Sequence, residues 1–157
     1  MEFLSFYDLN VKGVYNFIFY RTGHRETAED LTQQIFLKAL QAWPSFDSGK
    51  GTPKAWIFGI ARHALIDHFR TAKPMFDLEL AVQNDSGDNV ERNFETKARL
   101  VEAQRYLSQL EPEDRDIVVM RVWDELTYAE IGEIIGKSEA ATKMIFSRII
   151  QKLRELN

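Results

Sequence analysis

The stretch TYAEIGEIIGKSEAATKMIFSRIIQKLRE, residues 127–155, decides the fold because it predicts two helices joined by a short turn. Thr127 with Glu130 three residues later forms a capping-box pattern, which indicates that a helix begins here. Gly136 indicates where that helix ends, and Ser138 is a good N-cap for a second, longer helix. A short helix, a turn that contains glycine and a longer basic helix together form the helix-turn-helix pattern.

The second helix of this pair has a polar face that would suit the major groove of DNA. Reading that groove requires short polar or basic side chains near the start of the helix, with cations beside them for phosphate. Two amphipathic helices joined by a turn also occur in ordinary bundles, so the spacing alone leaves that alternative open. The candidate DNA-contacting residues are Lys137, Ser138, Glu139, Thr142, Lys143, Ser147 and Arg148.

The rest of the chain also predicts helices. Apolar residues recur at spacings of three and four and strand signals are nearly absent, so we expect an all-α fold. Five further helices are expected, over residues 3–20, 27–43, 53–71, 94–110 and 112–123. The buried residues expected in the first two include Phe6, Leu9, Val14, Phe17, Ile18, Phe36 and Leu40.

Charge and composition divide the chain into two units. Residues 74–93 are rich in Asp, Asn, Ser and Gly, which predicts a flexible acidic linker between helical domains at 1–73 and 94–157. The net charge is −4. Residues 111–133 hold two basic and eight acidic side chains, whereas residues 134–157 hold five and two. The last helix is therefore basic and follows an acidic neighbour.

The composition argues against several classes of protein. The chain contains no cysteine, which excludes disulfides and thiolate metal sites. No apolar run is long enough to span a membrane, so a cytoplasmic protein is expected. His63 and Asp67 are spaced to share a metal ion, but two ligands do not complete a site. Phosphate-binding loops and catalytic triads are absent from the sequence, so we expect neither an enzyme nor a cofactor.

Three stretches together resemble bacterial RNA polymerase sigma factors of the extracytoplasmic-function group. LTYAEIGEIIGKSEAATKMIFSRIIQKLRE, residues 126–155, resembles their C-terminal DNA-binding region. TAEDLTQQIFLKALQAW, residues 27–43, and AWIFGIARHALIDHFR, residues 55–70, resemble their N-terminal conserved region. The resemblance covers nearly the whole chain, and the order of the stretches also matches. It implies a protein that binds core RNA polymerase, recognises promoter DNA and helps to melt it.

The resemblance also implies roles for particular residues. The N-terminal domain would bind polymerase and the minus-ten promoter element, and the C-terminal domain the minus-thirty-five element. The helix at 27–43 would meet the coiled-coil clamp of the polymerase β′ subunit through Asp30, Gln33, Gln34 and Lys38. The loop at 44–53 and the helix after it would capture an extruded base and contact the duplex edge through Phe46, Asp47, Ser48, Lys50, Arg62, His63, Asp67, Arg70 and Lys73.

This chain departs from the family pattern at positions that bear on DNA binding. An asparagine is common in the family where His63 stands, which affects the preferred downstream sequence. Ile145, Ile150 and Gln151 stand at positions that are often basic in the family. Because each lost phosphate contact weakens DNA binding and its salt dependence, we expect the C-terminal unit to bind DNA weakly.

Regulation and two other functions are also open at this point. The resemblance implies an anti-sigma protein as a partner, and the linker would allow compact inactive and extended active arrangements. A stand-alone helix-turn-helix regulator would instead bind a palindrome as a dimer. A third interpretation is a sigma-like module that binds proteins but has no promoter activity.

Overall fold

The structure is a computed structural model that describes residues 1–71 and 105–155. All regular structure in these two ranges is helical, which confirms the predicted all-α class. Short 3-10 turns at Trp43–Ser45 and Ser48–Lys50 connect the second and third helices. The helices are α1 (Phe3–Thr22), α2 (Arg25–Ala42), α3 (Pro53–Thr71), α4 (Pro112–Val118), α5 (Tyr128–Ile135) and α6 (Glu139–Glu155).

The first three helices pack around an aromatic cluster. The Phe6 ring of α1 lies 4.7 Å from the Trp43 ring and 5.9 Å from the Trp56 ring of α3, measured between centroids. Gly23 ends α1 with a left-handed φ of 69°, and its N–H donates to the Phe19 carbonyl. Pro53 is the first residue of α3. The first N–H groups of a helix have no carbonyl partner within the helix, so proline costs no hydrogen bond at this position.

Two residues that were expected in the core lie on the surface. Leu9 is 73% exposed and Leu40 is 50% exposed. Asn10 takes the buried position next to Leu9, and its Nδ2 donates to the Phe6 carbonyl at 2.9 Å. This hydrogen bond satisfies the amide within its own helix, so a polar residue can occupy the position facing the core.

The C-terminal helices follow the predicted signals closely. The Thr127 side chain accepts from the Glu130 N–H at 3.1 Å, and the Glu130 carboxylate accepts from the Thr127 N–H at 3.0 Å. Gly136 ends α5 with φ 75°, and Ser138 Oγ accepts from the Ala141 N–H at 3.1 Å in the first turn of α6. The expected helix at 112–123 is present, but its second half, Val119–Trp123, is a π-helical turn.

The two sets of helices pack against each other. α3 contacts α5, and α1 contacts the π-helical turn, so buried side chains from both sets form one continuous cluster. The predicted linker and domain limits fall within residues 72–104, outside the described ranges, as does most of the helix expected at 94–110. None of the described helices is long and apolar enough to cross a membrane.

Candidate nucleic-acid and polymerase interfaces

A close approach of α6 and the preceding turn to Gly132 of α5 defines the helix-turn-helix. A Cβ on Gly132 would lie 2.5 Å from the Lys137 carbonyl oxygen and 3.0 Å from Thr142 Oγ1. Only glycine therefore allows α5 and α6 to approach this closely. Thr142 is fully buried in the contact and donates to the Ser138 carbonyl at 2.8 Å. The expectation that Thr142 contacts DNA is wrong, because its hydroxyl faces the protein interior.

The outer face of α6 presents the remaining candidates to solvent. The basic side chains Lys143 and Arg148 lie on it, and Lys152 and Arg154 extend the positive charge into the last turn. Ile149 and the half-buried Phe146 point to the other side and join the core. The exposed candidates are Lys137, Ser138, Glu139, Lys143, Ser147 and Arg148.

The polar face of α2 is exposed at every position that the sequence analysis selected. These residues are Asp30, Gln33, Gln34 and Lys38. Leu37 lies among them and is 58% exposed, which gives this face an apolar centre that sequence reasoning did not identify. Leu31, Ile35 and Ala39 recur at a spacing of four on the buried side of α2, and Leu37 falls outside that pattern, which could have indicated its exposure. A groove of about 550 Å³ runs beside this face, between α2 and α3.

A cleft of about 420 Å³ lies between the loop at 44–53 and α3. Five residues considered in the sequence line it, and they are Phe46, Asp47, Lys50, Trp56 and His63. The Phe46 and Trp56 ring centroids are 5.1 Å apart, so the cleft has an aromatic wall beside polar groups. Ser48 lies outside the lining but is exposed in the adjacent turn.

The opposite wall of this cleft comes from the C-terminal helices. Glu133 and Ile134 of α5 line it. The Glu133 carboxylate comes so close to the loop that a Cβ on Gly51 would be 2.2 Å from its Oε1. Sequence reasoning did not find this wall, because the two segments lie far apart along the chain.

The remaining candidates on α3 differ in their surroundings. Arg62 is half-buried and pairs with Asp116 of α4, with 3.4 Å between Nε and Oδ2. Asp116 also accepts a hydrogen bond from Arg21 of α1. Burial raises the pKa of Asp116, and the two arginines act in the opposite direction. Asp67 and Arg70 are exposed, and Asp67 Oδ1 lies 3.8 Å from Arg70 Nη1. The final candidate, Lys73, is outside the described residues.

A metal site is not formed in the described part of the chain. Within 1–71 and 105–155, no three histidine, aspartate or glutamate side chains lie close enough to hold an ion. His63 and Asp67 are both exposed on α3.

Two family models match the chain, one for each set of helices. Sigma-70 region 2 matches residues 6–74, and Sigma-70 region 4 matches residues 106–155. The two regions in this order on one chain define a protein of the sigma-70 class. Sigma factors of this class are transcription-initiation factors.

Curated relatives identify the group within this class. The chain is 32% identical to the ECF RNA polymerase sigma factor BldN of Streptomyces coelicolor, over 96% of this chain and 58% of BldN. It is 31% identical to the ECF RNA polymerase sigma factor SigM of Bacillus subtilis, over 96% of this chain and 91% of SigM. The chain belongs to the extracytoplasmic-function (ECF) RNA polymerase sigma factors.

Solved structures agree with the fold. CnrH, solved in complex with the cytosolic domain of CnrY, matches with a TM-score of 0.74 at 18% identity over 98% of this chain and 86% of CnrH. RpoE of Bartonella quintana, solved with the anti-sigma factor NepR, matches with a TM-score of 0.67 at 21% identity over 96% of this chain and 92% of RpoE. At these identities the likeness supports the helical architecture.

Proposed function

We propose that this ECF sigma factor docks on core RNA polymerase through the exposed face of α2. The observation that carries the proposal is the arrangement of that face, where Asp30 and Lys38 flank the exposed Leu37 in a segment that matches sigma-70 region 2. An apolar centre with a charged rim is the usual composition of a specific protein interface. The β′ clamp coiled coil is the polymerase element that this face would meet.

The cleft between the loop at 44–53 and α3 is the proposed site for a base extruded from the minus-ten element. Unstacking a base costs about a few kcal/mol, so the receiving site needs an aromatic surface and polar edges. The rings of Phe46 and Trp56 supply the aromatic surface. The polar edges come from Asp47, Lys50 and His63. Arg62, Asp67 and Arg70 on the same helix would contact the duplex edge.

The outer face of α6 is the proposed reader of the minus-thirty-five element. Lys143 and Arg148 would contact phosphates, and Ser147 and Ser138 would contact base edges or phosphates through their hydroxyls. The protein contributes binding and orientation, whereas polymerase carries out the chemistry. An anti-sigma protein is a further proposed partner, supported by the solved complex of the similarly folded RpoE with NepR.

Capture of bacterial core RNA polymerase tests the proposal. The double reversal Asp30→Lys with Lys38→Glu keeps the net charge but exchanges the signs on α2, and we expect it to abolish capture. Asp8→Lys with Lys12→Glu makes the same exchange on two exposed residues of α1 and serves as the matched control. Failure of the folded wild-type protein to bind polymerase would instead favour a stand-alone DNA-binding regulator.

A further inference from the structure

Trp43 packs against the back of the aromatic wall of the cleft. The Trp43 and Phe46 rings are stacked, with an angle of 7° between their planes and 5.7 Å between their centroids. Phe46 and Trp56 line the cleft, and Trp43 lies outside the lining. Any effect of Trp43 on a base in the cleft would therefore pass through the rings that it supports.

The backbone explains why these two rings stack. Trp43–Ser45 forms a 3-10 turn, and Phe46 is the residue that follows it. Such a turn has three residues, so the side chains at positions i and i+3 lie one above the other. The Phe46 N–H donates to the Trp43 carbonyl at 3.1 Å, which keeps the two residues in this register. Pro44 fits the turn, because its ring fixes φ near the value that a 3-10 turn needs.

Trp43 is itself held by aromatic rings of the core. The Phe6 centroid lies 4.7 Å from the Trp43 centroid, and the Phe3 centroid lies 5.6 Å from it with the two planes at 75°. The Trp56 centroid lies 5.9 Å away. Because Phe6 is fully buried, these contacts anchor Trp43 on the core of the N-terminal helices. Phe46 therefore rests on a surface that is in position before DNA arrives.

The polar side of the cleft is ordered by hydrogen bonds instead. Asp47 Oδ1 accepts from the Gly49 N–H at 2.9 Å, which fixes the turn that follows Phe46. The Phe46 ring can make no bond of this kind, so its position depends on packing with Trp43 and Trp56. Trp43 is parallel to it, whereas Trp56 is tilted by 47°. Removal of the parallel ring would leave Phe46 free to tilt.

We propose that Trp43 is a positioning residue for the extruded base, because its ring holds Phe46 in the orientation that accepts the base. The inference rests on the function proposed above for the cleft. Near-parallel rings at this centroid distance are offset-stacked, an arrangement that stabilises beyond the area that it buries. A receiving ring that is already ordered avoids the cost of ordering a side chain when the base binds. Trp43 thus raises the affinity for the base without touching it.

The test measures how much the extruded base contributes to DNA binding by holoenzyme, assembled from bacterial core RNA polymerase and the full-length chain. A single-stranded DNA library of random sequence is first bound to wild-type holoenzyme, and an enriched oligonucleotide becomes the probe. Each nucleotide of the probe is then replaced in turn by an abasic site. The base in the cleft is the one whose removal weakens binding to the wild type but not to Phe46→Ala.

Two substitutions of Trp43 separate the ring from the bulk of the side chain. Trp43→Leu keeps an apolar side chain without a ring, and Trp43→Phe keeps a ring that can stack. We expect Trp43→Leu to reduce the contribution of this base by about three- to tenfold and Trp43→Phe to restore most of it. In a Phe46→Ala background we expect Trp43→Leu to cause no further reduction, because both changes act on one contact.

Tyr7→Leu is the matched control for the loss of an aromatic ring. Tyr7 packs on Phe36, at 4.9 Å between ring centroids, on the side of α1 and α2 away from the loop. We expect this variant to keep the wild-type contribution of the base. Urea unfolding of each variant confirms that the chain is folded. General damage to the fold would weaken binding at every position of the probe, whereas loss of positioning affects one.

The outcomes distinguish this inference from the function on which it rests. If Phe46→Ala removes the contribution of one base and Trp43→Leu leaves it at its wild-type size, the cleft keeps its proposed function and the positioning role is overturned. If no position of the probe depends on Phe46, the cleft is not the base site and both proposals fail. A uniform loss at every position that Trp43→Phe does not rescue would show a structural role only, and would also overturn the inference. Docking is judged separately, by capture of polymerase through α2.

Discussion

Gly132 of α5 and Thr142 of α6 lie so close together that a Cβ on the glycine would be 3.0 Å from the threonine hydroxyl. The same Cβ would be 2.5 Å from the Lys137 carbonyl oxygen, which belongs to the backbone and cannot rotate away. The angle between the two helices of the helix-turn-helix therefore depends on the absence of one side chain.

Gly132→Ala is expected to destabilise the protein by about 1–3 kcal/mol, because the added methyl group forces the helices apart. Gly59→Ala in α3 is the matched control, since nothing lies within 4 Å of the added Cβ. Alanine is favoured over glycine inside a helix by about 0.5–1 kcal/mol, so the control is expected to be neutral or stabilising. Urea denaturation measures both. A Gly132→Ala protein as stable as wild type would show that the turn relaxes freely.

Local signals in the sequence predicted most of the helix-turn-helix and its surface. The capping box, the glycine stop and the serine cap each act within a few residues, so the chain itself specifies them. Thr142 was misassigned because a short polar side chain fits a DNA-facing position equally well. Its burial depends on how closely α5 approaches, which Gly132 permits but helical periodicity does not reveal.

The ion pairs between the two sets of helices could not be predicted in this way. Arg21 and Asp116 are 95 residues apart, and the residues that join them pass through the region expected to be a linker. Net charge indicated an acidic segment at 111–133 but gave no partner for it. The predicted site residue Arg62 therefore proved to be paired within the chain.

Asp116→Asn is expected to lower the free energy of unfolding by about 3 kcal/mol, because two arginines lose the carboxylate that compensates their buried charge. The Arg21 and Asp116 side chains are 10% and 4% exposed, so water cannot replace the lost partner. Asp114→Asn on the same helix turn is the control, and we expect a change within about 0.5 kcal/mol. Thermal or urea unfolding of the full-length chain measures the difference. Equal stability of the two variants would mean that Asp116 is not the charge that these arginines require.

Asp124 predicts a pH dependence of stability. Its carboxylate packs against α1, where Oδ1 would lie 3.4 Å from a Cβ on Gly13, and Oδ2 has no hydrogen-bond partner. Burial raises the pKa of Asp124 to about 8, and Lys54 only partly opposes this. The folded state therefore holds the proton more tightly than the unfolded state, so the contribution to stability is full at acid pH. It is lost as the pH rises toward the folded-state pKa.

Replacing Asp124 with asparagine removes this dependence, because the amide remains neutral. We expect Asp124→Asn to be more stable than wild type by about 1–3 kcal/mol near pH 9, with the advantage shrinking toward about pH 5. Glu125→Gln removes an exposed charge next to it and is expected to leave the wild-type pH profile unchanged. Parallel pH profiles for Asp124→Asn and wild type would contradict a raised pKa.

The outer face of α6 predicts a shallow salt dependence of binding to duplex DNA. The cations exposed on this face are few, namely Lys143 and Arg148 with Lys152 and Arg154 in the last turn. Arg148→Ala is expected to weaken binding uniformly across sequences and to reduce the slope of log affinity against log salt by about one. Lys12→Ala on α1 removes one exposed cation away from the proposed DNA face and is expected to leave the slope unchanged. Titrations of the full-length chain with mixed-sequence duplex DNA at several salt concentrations give the slopes. Equal slopes for Arg148→Ala and Lys12→Ala would remove α6 as the phosphate-contacting helix.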